Sequence, residues 1–178
     1  SSEIAALRSQ KSAINNEYSE MIDHEFYRLE DAKEFNPDIV FITNPTSLHI
    51  ETALEFINQV SAMFIEKPVS DSVEKVQKLI DQNENTIVHV ACPLRYHPAL
   101  QFIKKYLENS PKIYNIKIVS GSYLPEWRPG QDYKNTYCAR KELGGGVSLD
   151  LIHEIDYMRW IFGDIDGGYF GSSKISEL

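Results

Sequence analysis

Ile39-Val40-Phe41-Ile42, Met63-Phe64-Ile65 and Ile87-Val88-His89-Val90-Ala91 are short apolar runs whose starts fall 24 residues apart, and that period decides the fold. Each gap between them holds a helix-like segment. The first follows Asn44-Pro45-Thr46-Ser47 and places Ile50, Ala53, Leu54 and Phe56-Ile57 at near-helical spacing. The second opens on Ser70-Asp71-Ser72, residues suited to an amino-terminal cap, and carries Val73, Val76, Leu79 and Ile80 on one stripe. Runs that are apolar toward both faces and joined by helices predict an α/β fold with a parallel sheet covered on both sides.

Working outward, Ile4-Ala5-Ala6-Leu7 reads as an earlier strand, and His24 to Tyr27 as a short one before a helix around Asp31 to Phe35. Glycine is absent before Gly121, so no phosphate-cradling glycine turn lies in the amino-terminal half. Downstream, a helix is expected from Ala99 to Leu107 and a strand from Ile113 to Val119. An aromatic stretch from Tyr123 through Trp127 to Tyr137 follows, then a helix from Ser148 to Phe162 closed by Gly163, and a last strand from Gly168 to Ile175. A boundary near Pro98 divides the sheet region from this second, α+β region.

The chain has 178 residues, is 42% hydrophobic and carries a formal charge of −8, values of a globular protein whose surface does not suit a nucleic-acid backbone. Cys92 and Cys138 stand far apart and in no metal-ligand spacing, so neither a disulfide framework nor a metal site is expected. No apolar stretch reaches the roughly 20 residues of a membrane span, and Ser1-Ser2-Glu3 does not open a signal peptide. A cytoplasmic protein acting on small molecules, with no nucleic-acid or membrane partner, is the expectation.

Chemistry concentrates in two places. Glu66-Lys67-Pro68 follows the second apolar run, at the carboxyl end of a parallel strand, the edge where open α/β sheets bind ligands. Pro68 makes that turn rigid and open to a cis peptide. Gly144-Gly145-Gly146 leads into Asp150 and His153, three apart and so on one helical face. A lysine, a carboxylate and an imidazole that converge can move a proton on and off a hydroxyl.

These two blocks, Glu66-Lys67-Pro68 and Gly144 to Asp156, resemble the glucose-fructose oxidoreductase / inositol dehydrogenase / MocA family of NAD(P)-dependent oxidoreductases. The resemblance runs from about Ile4 to Leu178 and implies a partial Rossmann-like parallel sheet followed by part of an α+β domain with an open sheet. Residues 1–98 would be part of the dinucleotide-binding domain and 99–178 part of the substrate and oligomerisation domain. Family members open with a strand, G-x-G-x-x-G and a helix, which this chain lacks, and many space the aspartate and histidine one residue further apart. The chain is accordingly expected to be a truncated or fragmentary member, without the glycine-rich unit and the carboxyl-terminal part.

The resemblance also implies roles. Lys67 would contact nicotinamide and the substrate hydroxyl, and Glu66 would orient Lys67 or touch the cofactor ribose. His153 would be the general base and Asp150 would fix the hydroxyl and the imidazole, with Asp156 structural. Asn44, Pro45 and His49 would line the nicotinamide half of the cofactor, although a helix start there needs capping in any case. Arg8 and Ser9 stand where an acidic residue normally holds the ribose 2′-hydroxyl, which favours NADP over NAD. Arg95 and Tyr96 would face the substrate, though an interdomain salt bridge would make Arg95 look the same. Trp127, Arg128, Tyr133 and Tyr137, with Tyr123, offer aromatic faces and hydroxyls to a sugar ring, and Arg128 a grip on a carboxylate or phosphate; they equally suit a satellite core. The implied activity is hydride transfer at a secondary alcohol or ketone of a sugar or sugar-nucleotide-like substrate, in a homo-oligomer, dimer or tetramer. The alternative is a non-catalytic binding or assembly module of the same fold.

Overall fold

Three parallel strands with two crossover helices position everything that follows. In the computed structural model, which describes residues 2–9, 16–109, 112–127, 129–130 and 132–173, the order is β1 (Ala5–Leu7), α1 (Asn16–Ser19), β2 (His24–Phe26), α2 (Leu29–Glu34), β3 (Ile39–Ile42), α3 (His49–Phe56), β4 (Ala62–Ile65), α4 (Val73–Gln82), β5 (Ile87–Val90), α5 (Pro98–Glu108), α6 (Val147–Asp150) and α7 (Ile152–Phe162). Among the described residues six 3₁₀ turns accompany these elements: Thr46–Leu48 before α3, Pro93–Tyr96 after β5, and four between Leu124 and Leu143. The three apolar runs are the three strands. β3, β4 and β5 pair in parallel with Ile42, Ile65 and Val90 level, so their carboxyl ends share one edge.

Ser72 caps α4, its hydroxyl accepting the Lys75 N–H, as its residue type predicts. Gly163 ends α7 at φ 93°, a conformation an L side chain rarely adopts. The core lies between the sheet and α3 and α4, where Ile42, Ile50, Ala53, Phe56, Met63, Ile65 and Leu79 are buried together.

The sheet departs from expectation in two ways. It is covered on one face among the described residues, not both. Ile42, Met63 and Ile65 point into the core, whereas Ile39, Phe41 and Ile87 on the opposite face are 53%, 68% and 71% exposed. The reason is winding: β3, β4 and β5 succeed one another in one direction, so right-handed crossovers set α3 and α4 on the same side. On the open face Phe41, Phe64 and His89, in register, pack ring against ring at 5.6 and 5.2 Å. Second, β1 and β2 form a separate two-stranded parallel sheet, tied to the rest through α2, whose Ala32 enters the core and whose Lys33 pairs with Glu55 of α3.

Beyond Pro98 the helices appear and the strands do not. Residues 113–119 are without ladder partners among the described residues, and Tyr114 and Val119 are 86% and 79% exposed. Alternation supplies a face, but a strand also needs a neighbour to bond. The expected last strand is likewise irregular over 168–173, and its Lys174 to Ile175 end lies outside the described residues. The helix expected from Ser148 to Phe162 is two, broken at Leu151 (φ −97°, ψ 31°).

Candidate active site

Because β3 and β4 run parallel and level, Asn44 and the Glu66-Lys67-Pro68 turn leave the sheet at the same edge. The Lys67–Pro68 peptide is cis. Glu66 folds back so that its Oε2 accepts the Lys67 backbone N–H at 3.0 Å, and Lys67 Nζ donates to the main-chain carbonyl of Asp150 at 2.8 Å. Residues 83 apart in sequence thus meet. The break at Leu151 makes this possible, since a carbonyl at a helix end lacks an intrahelical partner and is open to a side-chain donor. It also means that Asp150 and His153 sit on successive helices and not on one face of a single helix, which corrects the expectation from their spacing.

The triple glycine brings the late helices to the sheet edge. Gly144 has φ 80°, and a Cβ there would lie 2.7 Å from Thr46 Cβ and 3.0 Å from the Ser47 nitrogen. At Gly145 a Cβ would lie 2.1 Å from the Tyr137 carbonyl oxygen. The loop after β3, the Tyr137–Ala139 turn and the start of α6 are therefore in backbone contact, at distances only glycine permits.

His153 is half-buried beside this junction. Burial holds its imidazole below the ordinary histidine pKa, and the nearby Lys67 ammonium lowers it further, against the opposing pull of Glu154, Asp156 and Glu66. Near neutral pH the ring is the neutral form, able to accept a proton. Two acceptors in this region, Asn44 Oδ1 and Glu154 Oε2, are buried with no hydrogen-bond partner. Asn44 is otherwise anchored, its Nδ2 donating to Thr52 Oγ1 at 2.8 Å.

The other sequence-derived candidates divide. His49 is 1% exposed, its ring nitrogens 2.9 Å from the Pro68 carbonyl and 2.8 Å from the Asn44 carbonyl; it is an internal brace and is not placed to touch a cofactor. Pro45 is half-buried at the sheet edge, next to the turn that Gly144 packs against. Arg8 forms an ion pair with Glu25, which also bonds Tyr27, and Ser9 follows it at the end of β1. The Arg8 pair, with the Tyr27 bond next, holds the Glu25 carboxyl below the usual carboxylate range. Arg95 realises the salt-bridge reading: its Nε donates to Asp156 Oδ2 at 2.9 Å and its Nη2 to the other oxygen, joining the turn after β5 to α7. Burial pushes the Asp156 carboxyl up, but the Arg95 bonds and charge outweigh this and leave it low. Tyr96 beside it is 68% exposed. Tyr133 and Tyr137 are half-buried in the 3₁₀ turns that lead to Gly145, whereas Trp127 is 39% exposed and Arg128 lies outside the described residues.

Sequence reasoning missed the Asp150 carbonyl as the partner of Lys67, the internal role of His49 and the orphaned Glu154 oxygen. His49 had a signal, its place on the apolar face that Ile50 and Ala53 mark, and the Asp150 carbonyl had none, since no proline or glycine marks the break at Leu151. The Glu154 oxygen had none.

The profile of a family described as "Oxidoreductase family, NAD-binding Rossmann fold" matches residues 2–94. Among curated proteins, the "Uncharacterized oxidoreductase YrbE" of Bacillus subtilis is 30% identical over 137 residues, covering 72% of this chain and 37% of that protein. The "Myo-inositol 2-dehydrogenase" of Thermotoga maritima is 26% identical over 163 residues, covering 89% and 44%. The WlbA (WbpB) dehydrogenase of Thermus thermophilus, solved in complex with NAD and alpha-ketoglutarate, superposes with a TM-score of 0.67 at 18% identity, covering 90% of this chain and 54% of that one. The chain therefore spans about two fifths of the length of the curated relatives it matches. With the matched residues taking in β1 to β5 and the Lys67 turn, the chain belongs to the Gfo/Idh/MocA family of oxidoreductases, built on an NAD-binding Rossmann fold.

Proposed function

We propose that this protein is a nicotinamide-dependent oxidoreductase acting on a secondary alcohol or ketone of a sugar-like substrate, with Lys67, His153 and Asp150 as its working residues. The observation that carries the reading is the meeting of Lys67 with the Asp150 carbonyl beside an imidazole kept neutral. The residues at the sheet edge fit the nicotinamide half of the cofactor: Asn44 Oδ1 is a buried acceptor with no partner, suited to an amide or hydroxyl donor. Bound there, the cofactor supplies the hydride acceptor or donor. His153 takes the hydroxyl proton of an alcohol on its unprotonated nitrogen; in the reverse direction the same nitrogen, protonated, returns that proton to the ketone oxygen. Lys67, held at the Asp150 carbonyl, donates a hydrogen bond to the same oxygen and balances the charge that develops on it. The Asp150 main chain positions the lysine. The half-buried Tyr133 and Tyr137, and Tyr96, Trp127 and Arg128, make up the sugar side of the reading.

A preference for NADP requires a guanidinium open to a 2′-phosphate, and Arg8 is committed to Glu25. A carboxylate beside Arg8 suits ribose hydroxyls, and the cofactor we propose is NAD or NADP. The division near Pro98 into a cofactor part and a substrate part, a homo-oligomeric state and a cytoplasmic location belong to the same proposal by family analogy. Relatives by fold include a "Levoglucosan dehydrogenase" with NADH and levoglucosan, at a TM-score of 0.59 and 21% identity, and a sugar or inositol ring is the substrate class we favour.

The test is hydride transfer with NAD or NADP against cyclic polyols, sugars and uronic acids, followed by nicotinamide absorbance. Lys67→Met and His153→Asn are each expected to lower kcat about 10²- to 10⁴-fold, the range for lost acid–base catalysis, with the melting temperature little changed. Variants that keep turnover within a few-fold of the parent, or that lose turnover and folding together, would sink the assignment.

A further inference from the structure

The His49 ring lies within hydrogen-bond distance of both loops of the candidate site, at the backbone of each. Its ring is 1% exposed and stands between two main-chain oxygens, Pro68 O at 2.9 Å from Nδ1 and Asn44 O at 2.8 Å from Nε2. The first belongs to the turn after β4 that carries Glu66 and Lys67. The second belongs to the turn after β3 that carries Asn44 and Pro45. Asn44 Nδ2 to Thr52 and the Lys67 N–H to Glu66 stay local, while Lys75 on α4 links the outer parts of the two loops, its Nζ donating to Ser47 O and pairing with Asp71, away from the Asn44 and Pro68 backbone. A ring of fixed width that engages one oxygen on each loop sets the separation of the loops, and packing on all sides keeps the ring from turning.

We infer that His49 is the positioning residue of the Lys67 turn: through the Pro68 carbonyl it fixes the backbone from which Lys67 reaches Asp150, and through Asn44 it locks that turn to the end of β3. The inference rests on the proposal that Lys67 is a working residue, but it concerns the turn and not the chemistry. Its two bonds are separable by substitution. Both oxygens only accept, so a neutral ring donates to one of them and only a ring protonated on both nitrogens donates to both. The side-chain nitrogen of asparagine falls near the ring Nδ1 position and that of glutamine near Nε2, so His49→Asn offers a donor to Pro68 and His49→Gln a donor to Asn44.

The experiment labels the chain with limiting acetic anhydride and measures acetylation lysine by lysine by mass spectrometry. In His49→Gln, Lys67 is expected to react about fivefold faster relative to exposed Lys78, the factor that one lost hydrogen bond is worth, as it leaves the Asp150 carbonyl. His49→Asn should retain the parent rate at Lys67. Equal Lys67 rates in all three proteins would overturn the inference, and so would a uniform rise at every lysine in both variants, which marks general loosening. Should His49→Gln not fold, the unaltered chain gives a second reading through nitrogen-15 spectra of its histidine rings. The His49 ring N–H is expected to exchange slowly with solvent; exchange as fast as that of exposed His97 contradicts the brace. Since neither readout needs turnover, a failed redox assay would leave this result standing, and the converse holds as well.

Discussion

His153 shows how the same residue type gains a role from its surroundings. Its burial and the Lys67 charge depress its pKa in the fold, so as pH falls the unfolded chain takes up the proton first. The stability it contributes is therefore complete above about pH 6.5, the ordinary histidine value, and declines as pH drops from there toward the folded-state value. The same shift keeps the base form available further into acid. The acid limb of kcat/KM is expected to lie below about pH 6.5, and a limb above that value in a pH–rate profile would remove His153 as the base. Asp156 behaves in parallel, its carboxyl held low by Arg95 although burial opposes this, so the clamp between the turn after β5 and α7 weakens only in acid. Cys92, next to that clamp, is pushed up by burial first and then by the Asp156 carboxylate, and so remains a thiol near neutral pH.

At the scale of elements, the strands and their crossovers were legible because a buried parallel strand has to be apolar and a crossover helix has to be amphipathic. β3 matches its expected bounds, β4 and β5 differ by one residue at an end, and Ser72 caps α4 where its position requires. Cover was not legible: Phe41 and Ile87 read as core, and no described helix reaches their face. The Leu151 break escaped as well, since Val147 to Phe162 has no proline or internal glycine and the bend answers to tertiary contact, with the Asp150 carbonyl turned to Lys67. The pairing of the site blocks was readable only through a resemblance, because spacing along a chain says nothing of an approach across 83 residues. The triple glycine, by contrast, has a local physical reason. Gly145→Ala would place a methyl against the Tyr137 backbone and is expected to cost about 2 kcal/mol, as overpacking does, measured by urea unfolding. A cost near zero would show that α6 does not approach the Tyr137–Ala139 turn so closely.

The whole molecule joins a sheet half to a helical half, and each leaves a mark on its behaviour. Ile39, Phe41, Phe64 and Ile87 form an apolar patch on the open face, with Phe41 at 68% exposure. Such a patch promotes association, so the chain is expected to self-associate with rising concentration in sedimentation, and Phe41→Ser to reduce this without lowering the melting temperature. Concentration-independent sedimentation of the parent chain would show the face to be covered. The join itself consists of Arg95 with Asp156, Lys104 with the Trp160 carbonyl at 2.8 Å, and Lys67 with Asp150. The last of these puts the amine of the sheet beside the imidazole of α7, and the functional reading depends on it. Its most direct test is the nuclear magnetic resonance titration of His153 in the parent chain and in Lys67→Met. The account predicts a midpoint below the ordinary histidine value in the parent and a shift upward once the ammonium is gone; the same midpoint in both proteins would contradict it.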